Sequence, residues 1–215
     1  MSGMRFYGYF RSSAAYRCQI AFNLKGLSPE FAPIHLRRGD QRGEEFLRLN
    51  PQGLVPALDI GWRVLTQSLA IIEWLDEMHP DPALLPGDAA DRAELRAFAL
   101  AIAADIHPLN NLRVLKYLKD PLGHDQATID GWYRHWVEEG LNACERLVTR
   151  GGRRGPYCFG ASATLADICL VPQIANARRF NADLSACPTL IEIDAHCAKH
   201  AAFADAAPEK QPDAE

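Results

Sequence analysis

Residues 10 to 22 read FRSSAAYRCQIAF, and this stretch decides the fold because two kinds of periodicity meet in it. Met4 to Tyr9, just ahead of it, is an apolar, strand-like run; the run breaks at Arg11-Ser12-Ser13 and restarts with Tyr16, Ile20 and either Phe22 or Leu24 at helical intervals. Lys25-Gly26 supplies a basic last turn and a C-capping glycine. The segment is a strand, a polar turn and a helix. A helix opened by serines presents unpaired N–H groups and the positive end of its dipole, so an anion seated there is stabilised by roughly 0.3–1 kcal/mol. On these residues alone, simple capping of a surface helix by Ser12 or Ser13 is the favoured reading.

Working outward, Glu30 to Leu36 reads as a second strand that Pro33 confines to an edge or a non-donating position. Glu44 to Leu49 is a short helix closed by Asn50-Pro51, and Pro56 interrupts the approach to a hairpin of Ala57 to Ile60 and Arg63 to Thr66 joined at Gly61. Gln67 follows directly, and Ser68 is the expected N-cap of a helix over Leu69 to His79 that Pro80 and Pro82 end. Strand, helix, strand, helix, strand, strand, helix is the order of the thioredoxin fold. Beyond the proline- and glycine-containing Asp81 to Asp88, no strand is predicted. Helices are expected over Asp91 to Ile106, with a kink or restart at Pro108, then over Asn111 to Leu118 and Asp125 to Arg150, the last stopped by Gly151-Gly152. A further, very apolar helix over Leu165 to Arg179 opens with a capping box. In it Thr164 accepts from the Asp167 N–H, while the Asp167 side chain reaches back. Pro188 to Ala198 gives one more helix, and the charged residues from Pro208 are expected to fray. The fold class is thus α/β plus all-α. Residues 1–87 form a thioredoxin-like domain with a mixed four-stranded sheet and three helices, and residues 88–215 form an all-α helical bundle.

With 215 residues, 48% of them hydrophobic, the chain has ample material for buried cores. No apolar run approaches the ~20 residues of a membrane span, and no signal-like segment opens the chain, so a cytoplasmic location is expected. The six cysteines show no Cys-x-x-Cys pair and no metal-ligand spacing with the seven histidines, which predicts reduced, mostly buried thiols and no metal. A net charge of −4 without a basic stripe argues against a nucleic-acid partner; Arg37-Arg38 and Arg153-Arg154 are too short to make one.

Several motifs together identify a family. They are Arg11-Ser12-Ser13 with Tyr16-Arg17, Asn50-Pro51, Val55-Pro56, and Gln67-Ser68-Leu69-Ala70-Ile71-Ile72-Glu73. In the second half they are Leu165-Ala166-Asp167, Leu170-Val171-Pro172-Gln173 and Asn176 to Phe180. Over nearly the whole chain they resemble the glutathione transferase superfamily, specifically its zeta class, which includes maleylacetoacetate and maleylpyruvate isomerases. The resemblance implies glutathione as cofactor. Ser68 and Gln67 would hold its γ-glutamyl end, and Val55, in a cis bond to Pro56, would pair with its cysteinyl backbone. Ser12, with Ser13 and Arg11 in the same turn, would favour the thiolate. His107 and Asn111 are further cofactor candidates; a histidine packed at a helix kink is an equal reading of His107. Arg11, Arg179 and Arg113 are candidates for binding substrate carboxylates, since guanidinium forks match carboxylates, although a helix-terminal Arg179 also suits simple dipole compensation. Asp167 belongs to folding. The implied reaction is cis-trans isomerisation of maleylacetoacetate or maleylpyruvate in aromatic catabolism by a homodimer. The alternatives are a general glutathione transferase or peroxidase acting on electrophiles, and a non-catalytic binding protein. The chain departs from the zeta pattern at Ala14, where a cysteine is usual.

Overall fold

The computed structural model describes residues 3–150 and 155–215, so the expected helix stop at Gly151-Gly152 and the pair Arg153-Arg154 lie outside the described residues. Contacts gather the chain into two compact units, Met1–Leu84 with Lys199–Glu215, and Leu85–Ala198. The sequence places the final residues with the helices of the second half; by contacts they join the first unit.

The first unit runs β1 (Arg5–Gly8), α1 (Ser13–Leu24), β2 (Glu30–Pro33), α2 (Glu44–Leu49), β3 (Ala57–Asp59), β4 (Val64–Thr66) and α3 (Ser68–Met78). Its four strands lie in the order β2-β1-β3-β4, with β1 parallel to β2 and antiparallel to β3, and β3 antiparallel to β4. The mixed four-stranded sheet is therefore present, and Pro33 sits on an edge strand as its missing N–H requires. Helices α1 and α3 pack together. Phe6 on β1 meets Phe22 of α1 edge to face at 5.0 Å, and Ile20, Leu58, Ile71 and Leu75 are fully buried. A second apolar cluster joins Tyr9, Phe10, Phe46, Val55 and Ala57. Helix α1 ends where the sequence places it, at Lys25 with Gly26 at φ +64°. Lys25, though, is more than a dipole-compensating charge: its buried Nζ donates to Asp76 Oδ1 at 2.7 Å and to the His79 and Pro82 carbonyls, fastening α1 to the end of α3.

The second unit contains α4 (Ala89–Leu100), a π-helical turn at Ala101–Ile106, α5 (His107–Leu109), α6 (Leu112–Lys119), α7 (Gln126–Thr149), α8 (Leu165–Arg179) and α9 (Pro188–Cys197). The break in the first helix thus begins seven residues before the expected Pro108 kink, as a π turn. Gly140 on α7 permits the close approach of this turn, since a side chain there would run into Ile106. Helix α8 is buried without interruption from Leu165 through Ile174 and packs with α4, α7 and α9, which makes it the central helix of this unit. Its capping box between Thr164 and Asp167 forms as expected. No helix among the described residues is long and apolar enough to cross a membrane.

The segment from Pro208 is ordered, contrary to the expected fraying. A short helix α10 (Ala201–Ala204) packs on α1, with Asn23 Nδ2 donating to the Ala202 carbonyl at 2.9 Å. A 3-10 turn at Pro208–Lys210 follows, tied back by Gln211 Nε2 to the Asp205 and Ala207 carbonyls.

Candidate active site

Strand register brings three of the sequence motifs to one end of the sheet. Tyr7 of β1 pairs with Ala57 of β3, and Ala57 pairs with Thr66 of β4. The turn Arg11-Ser12-Ser13 follows the C-terminal end of β1, Val55-Pro56 precedes the start of β3, and Gln67-Ser68 follows the end of β4. All three leave the sheet on the same side. The shared cluster of Tyr9, Phe10 and Val55 packs the first two against each other, and the Val55–Pro56 bond is cis.

Ser12 is the N-cap of α1: its Oγ accepts from the Ala15 N–H at 3.2 Å, and its own N–H closes the turn onto the Tyr9 carbonyl at 2.9 Å. Capping and chemistry are compatible here, because a hydroxyl that accepts with a lone pair still has its proton to donate. Ser12 is half-buried, Ser13 is buried inside the first turn, and Arg11 is exposed with its guanidinium 5.1 Å over the Phe10 ring. Ala14 is half-buried.

Ser68 is not the N-cap of α3 that its residue type suggests. It is the first helical residue, and Gln67 holds the cap position at φ +68° with no side-chain capping bond. Its Oγ instead faces a partner 51 residues away: buried Arg17 directs Nη1 at it from 3.4 Å. The Cys18 thiol lies 3.9 Å from the Ser68 carbonyl. A left-handed backbone at a residue other than glycine costs on the order of 1–3 kcal/mol and concentrates at ligand clamps. The first N–H to find an acceptor inside α3 is that of Ile71, on the Gln67 carbonyl, so the N–H groups ahead of it form an anion seat. The Gln67 amide donates to Gln52 Oε1 at 3.0 Å.

The remaining candidates belong to the second unit. His107 and Asn111 are half-buried neighbours, with Asn111 Nδ2 3.4 Å from His107 Nε2, while Asn111 Oδ1 caps α6 by accepting from the Arg113 N–H. Arg113 is exposed. Arg179 is exposed but fixed: Nη2 donates to Asn176 Oδ1 at 2.8 Å and its guanidinium lies 5.3 Å over the Phe180 ring, which stacks on Tyr133 with centroids 3.6 Å apart. Burial pushes the Tyr133 hydroxyl up to about 12, against the pull of the Arg179 charge beside it. A merely dipole-compensating arginine needs no such support. Arg17 and the partners of Arg179 were missed in the sequence, although a charged residue between Tyr16 and Ile20 on an apolar helix, and Asn176 three residues before Arg179, were visible signals. A separate cavity of about 380 Å³, lined by Leu95, Leu147, Val148 and Cys158 among others, contains none of the predicted site residues.

Comparison with known proteins agrees with this geometry. Residues 11–78 match the family model for the glutathione S-transferase N-terminal domain. The chain is 50% identical to a probable maleylacetoacetate isomerase of Vibrio cholerae over the full length of both proteins. It is similar to the holo structure of a maleylpyruvate isomerase, described as a bacterial zeta-class glutathione transferase, with a TM-score of 0.96, 47% identity and coverage of 98% of this chain and 100% of that one. A maleylacetoacetate isomerase from Anaeromyxobacter dehalogenans, solved with glutathione in its active site, superposes with a TM-score of 0.88 at 40% identity, covering 99% of this chain and 98% of that one.

Proposed function

The chain belongs to the zeta-class glutathione transferases, the family of the maleylacetoacetate and maleylpyruvate isomerases, and we propose that it is a glutathione-dependent cis-trans isomerase of a maleyl dicarboxylate in aromatic catabolism. The observation that carries the reading is the shared end of the sheet, where the Ser12 hydroxyl, the cis Val55–Pro56 bond and the start of α3 lie together. These groups fit glutathione: an anion seat at α3 for a carboxylate, the backbone at Val55 ahead of β3 for a peptide, and a hydroxyl at a helix start for a thiolate. When bound, glutathione supplies the nucleophilic sulfur that adds to the maleyl double bond, permits rotation, and leaves again.

The chain's own residues do the rest. The Ser12 proton and the positive end of α1 hold negative charge on sulfur, lowering a thiol pKa that is ordinarily about 8.5. Ser13, buried beside it, keeps the turn closed. Ser68 and Gln67 receive the γ-glutamyl carboxylate, and His107 and Asn111 are additional donors to glutathione. Arg11, and Arg179 held by Asn176 over Phe180, each receive a substrate carboxylate, with Arg113 as a further cationic group; preorganised donors aimed at developing charge supply a large share of catalysis. The same reading makes the enzyme a cytoplasmic homodimer, which sedimentation at micromolar concentration tests. Turnover of maleylpyruvate and maleylacetoacetate with catalytic glutathione tests the activity. Conjugation of chloroacids without turnover of either maleyl acid would replace this reading by that of a general transferase.

A further inference from the structure

The Arg11-Ser12 turn is fastened from the far end of the sequence. Its Ser12 N–H is satisfied within the turn, by the Tyr9 carbonyl. The N–H of buried Phe10 is instead taken by Asp213 Oδ2 at 3.0 Å, across 203 residues. The other carboxylate oxygen, Oδ1, is buried without a hydrogen-bond partner, so the tie between this side chain and the turn rests on Oδ2 and the Phe10 amide. Residues of the turn and α1 (Tyr9, Phe10, Ala15, Tyr16, Gln19) meet Ala206 and Gln211 across a void of only about 10 Å³, too small for more than one water. A second tie, Glu215 Oε1 to His35 Nε2 at 2.7 Å, secures the segment just beyond Asp213. The His35 ring lies 5.1 Å from that of Tyr9, next to the same turn.

We propose that Asp213 is a positioning residue for the isomerase: its carboxylate holds the Phe10 N–H and so fixes the backbone from which Arg11 and the Ser12 hydroxyl project. This rests on the roles given above to Arg11 and Ser12. A carboxylate accepting a backbone N–H makes one of the stronger protein hydrogen bonds, and its partner here is the residue immediately before Arg11. Catalytic hydroxyls misplaced by small backbone shifts lose large factors in rate, which gives such an anchor functional weight.

The test uses the full chain with Asp213→Ala, with Asp213→Asn, which keeps an acceptor oxygen, and with Glu215→Gln, which removes the carboxylate that meets His35 and leaves Asp213 in place. Amide hydrogen exchange at Phe10 to Ser12, thiolate absorbance of bound glutathione against pH, and separate kcat and KM for a maleyl acid are the readouts. Asp213→Ala is expected to speed exchange at Phe10 about tenfold or more, to raise the bound-thiol pKa and to lower kcat with little change in KM for glutathione. Asp213→Asn should recover most of the loss. Unchanged Phe10 exchange and an unchanged thiol pKa in Asp213→Ala would overturn the proposal, as would an Asn variant no better than Ala or a Glu215→Gln variant as damaged as Asp213→Ala. A Ser12→Ala control separates the two readings: if it leaves the thiol pKa unmoved, the role of Ser12 fails, while exchange at Phe10 still judges Asp213.

Discussion

At the scale of single residues, the hydroxyl of Ser12 has two duties that use different parts of the same group. Its lone pair caps α1 through the Ala15 N–H, and in the proposed mechanism its proton serves sulfur. Ser12→Ala therefore removes both a cap and the proposed thiolate donor. The variant is expected to raise the pKa of bound glutathione and to cut isomerase turnover at least tenfold, the equivalent of ~1.4 kcal/mol. Thiolate absorbance against pH is the direct measurement, and a titration identical to the natural protein's would remove Ser12 from the mechanism. Arg179 acts differently, because Asn176 and Phe180 hold its guanidinium in one place. Arg179→Ala and Arg11→Ala should weaken dicarboxylate binding and leave glutathione affinity nearly intact. Asn176→Ala should reproduce a milder form of the Arg179 defect, since the charge remains and only its orientation is lost. Equal loss of both affinities in these variants would make the two arginines structural.

At the scale of elements, the start of α8 hangs on one carboxylate. Asp167 is fully buried; its Oδ2 accepts from the Thr164 N–H (2.8 Å) and hydroxyl (2.9 Å), and its Oδ1 accepts from the Cys158 N–H (2.8 Å). Asp167→Ala leaves two backbone donors and a hydroxyl buried without an acceptor, so a loss of about 2–5 kcal/mol is expected in denaturant melts. Burial, outweighing these hydrogen bonds, holds the Asp167 carboxyl above its ordinary 3.8. The folded chain then binds that proton more tightly than the unfolded chain. The associated stability is complete below the unfolded value and is lost as pH rises through the folded one. The stability gap between the natural chain and Asp167→Ala should accordingly narrow as pH climbs from about 3.8, and a gap that widens over that range would contradict the direction of the shift. The capping half of this arrangement was legible because it is local, a Thr and an Asp three residues apart. The Cys158 half was not, since no spacing rule ties a loop amide to a helix nine residues on. Ser68 was misread as a cap for the same reason: capping preference is local, and the competing Arg17 guanidinium comes from another helix. The left-handed backbone at Gln67 was also invisible, because nothing in a glutamine announces a positive φ.

At the scale of the whole molecule, the succession of elements, the number of sheet strands and the central helix were readable from periodicity and punctuation, whereas the spatial strand order and the return of residues 199–215 to the first unit depend on contacts far apart in sequence. The cysteines join both scales. All six are buried and unpaired by disulfide, Cys18 in the first unit and Cys144, Cys158, Cys169, Cys187 and Cys197 in the second. Burial pushes Cys144 up to about 12 and Cys187 up to about 11, and raises Cys158 and Cys197 as well. Alkylation needs an accessible thiolate, so the folded protein opposes it through access and ionisation together. The turn that zeta-class enzymes commonly furnish with a cysteine carries Ala14 here, and the proposed nucleophile is glutathione's own sulfur. Native protein treated with iodoacetamide at pH 8 should consequently keep both its mass and its isomerase activity, and thioltransferase activity should be weak or absent. In denaturant all six thiols should react, with the Cys18 peptide reporting the opening of the first unit and the other five that of the second. Ala14→Cys should introduce one adduct under native conditions, beside Ser12, without a large gain in isomerisation. A native adduct on any residue of the unaltered chain, or loss of activity on mild alkylation, would show that a protein thiol is more exposed, or more involved, than this arrangement of buried sulfur allows.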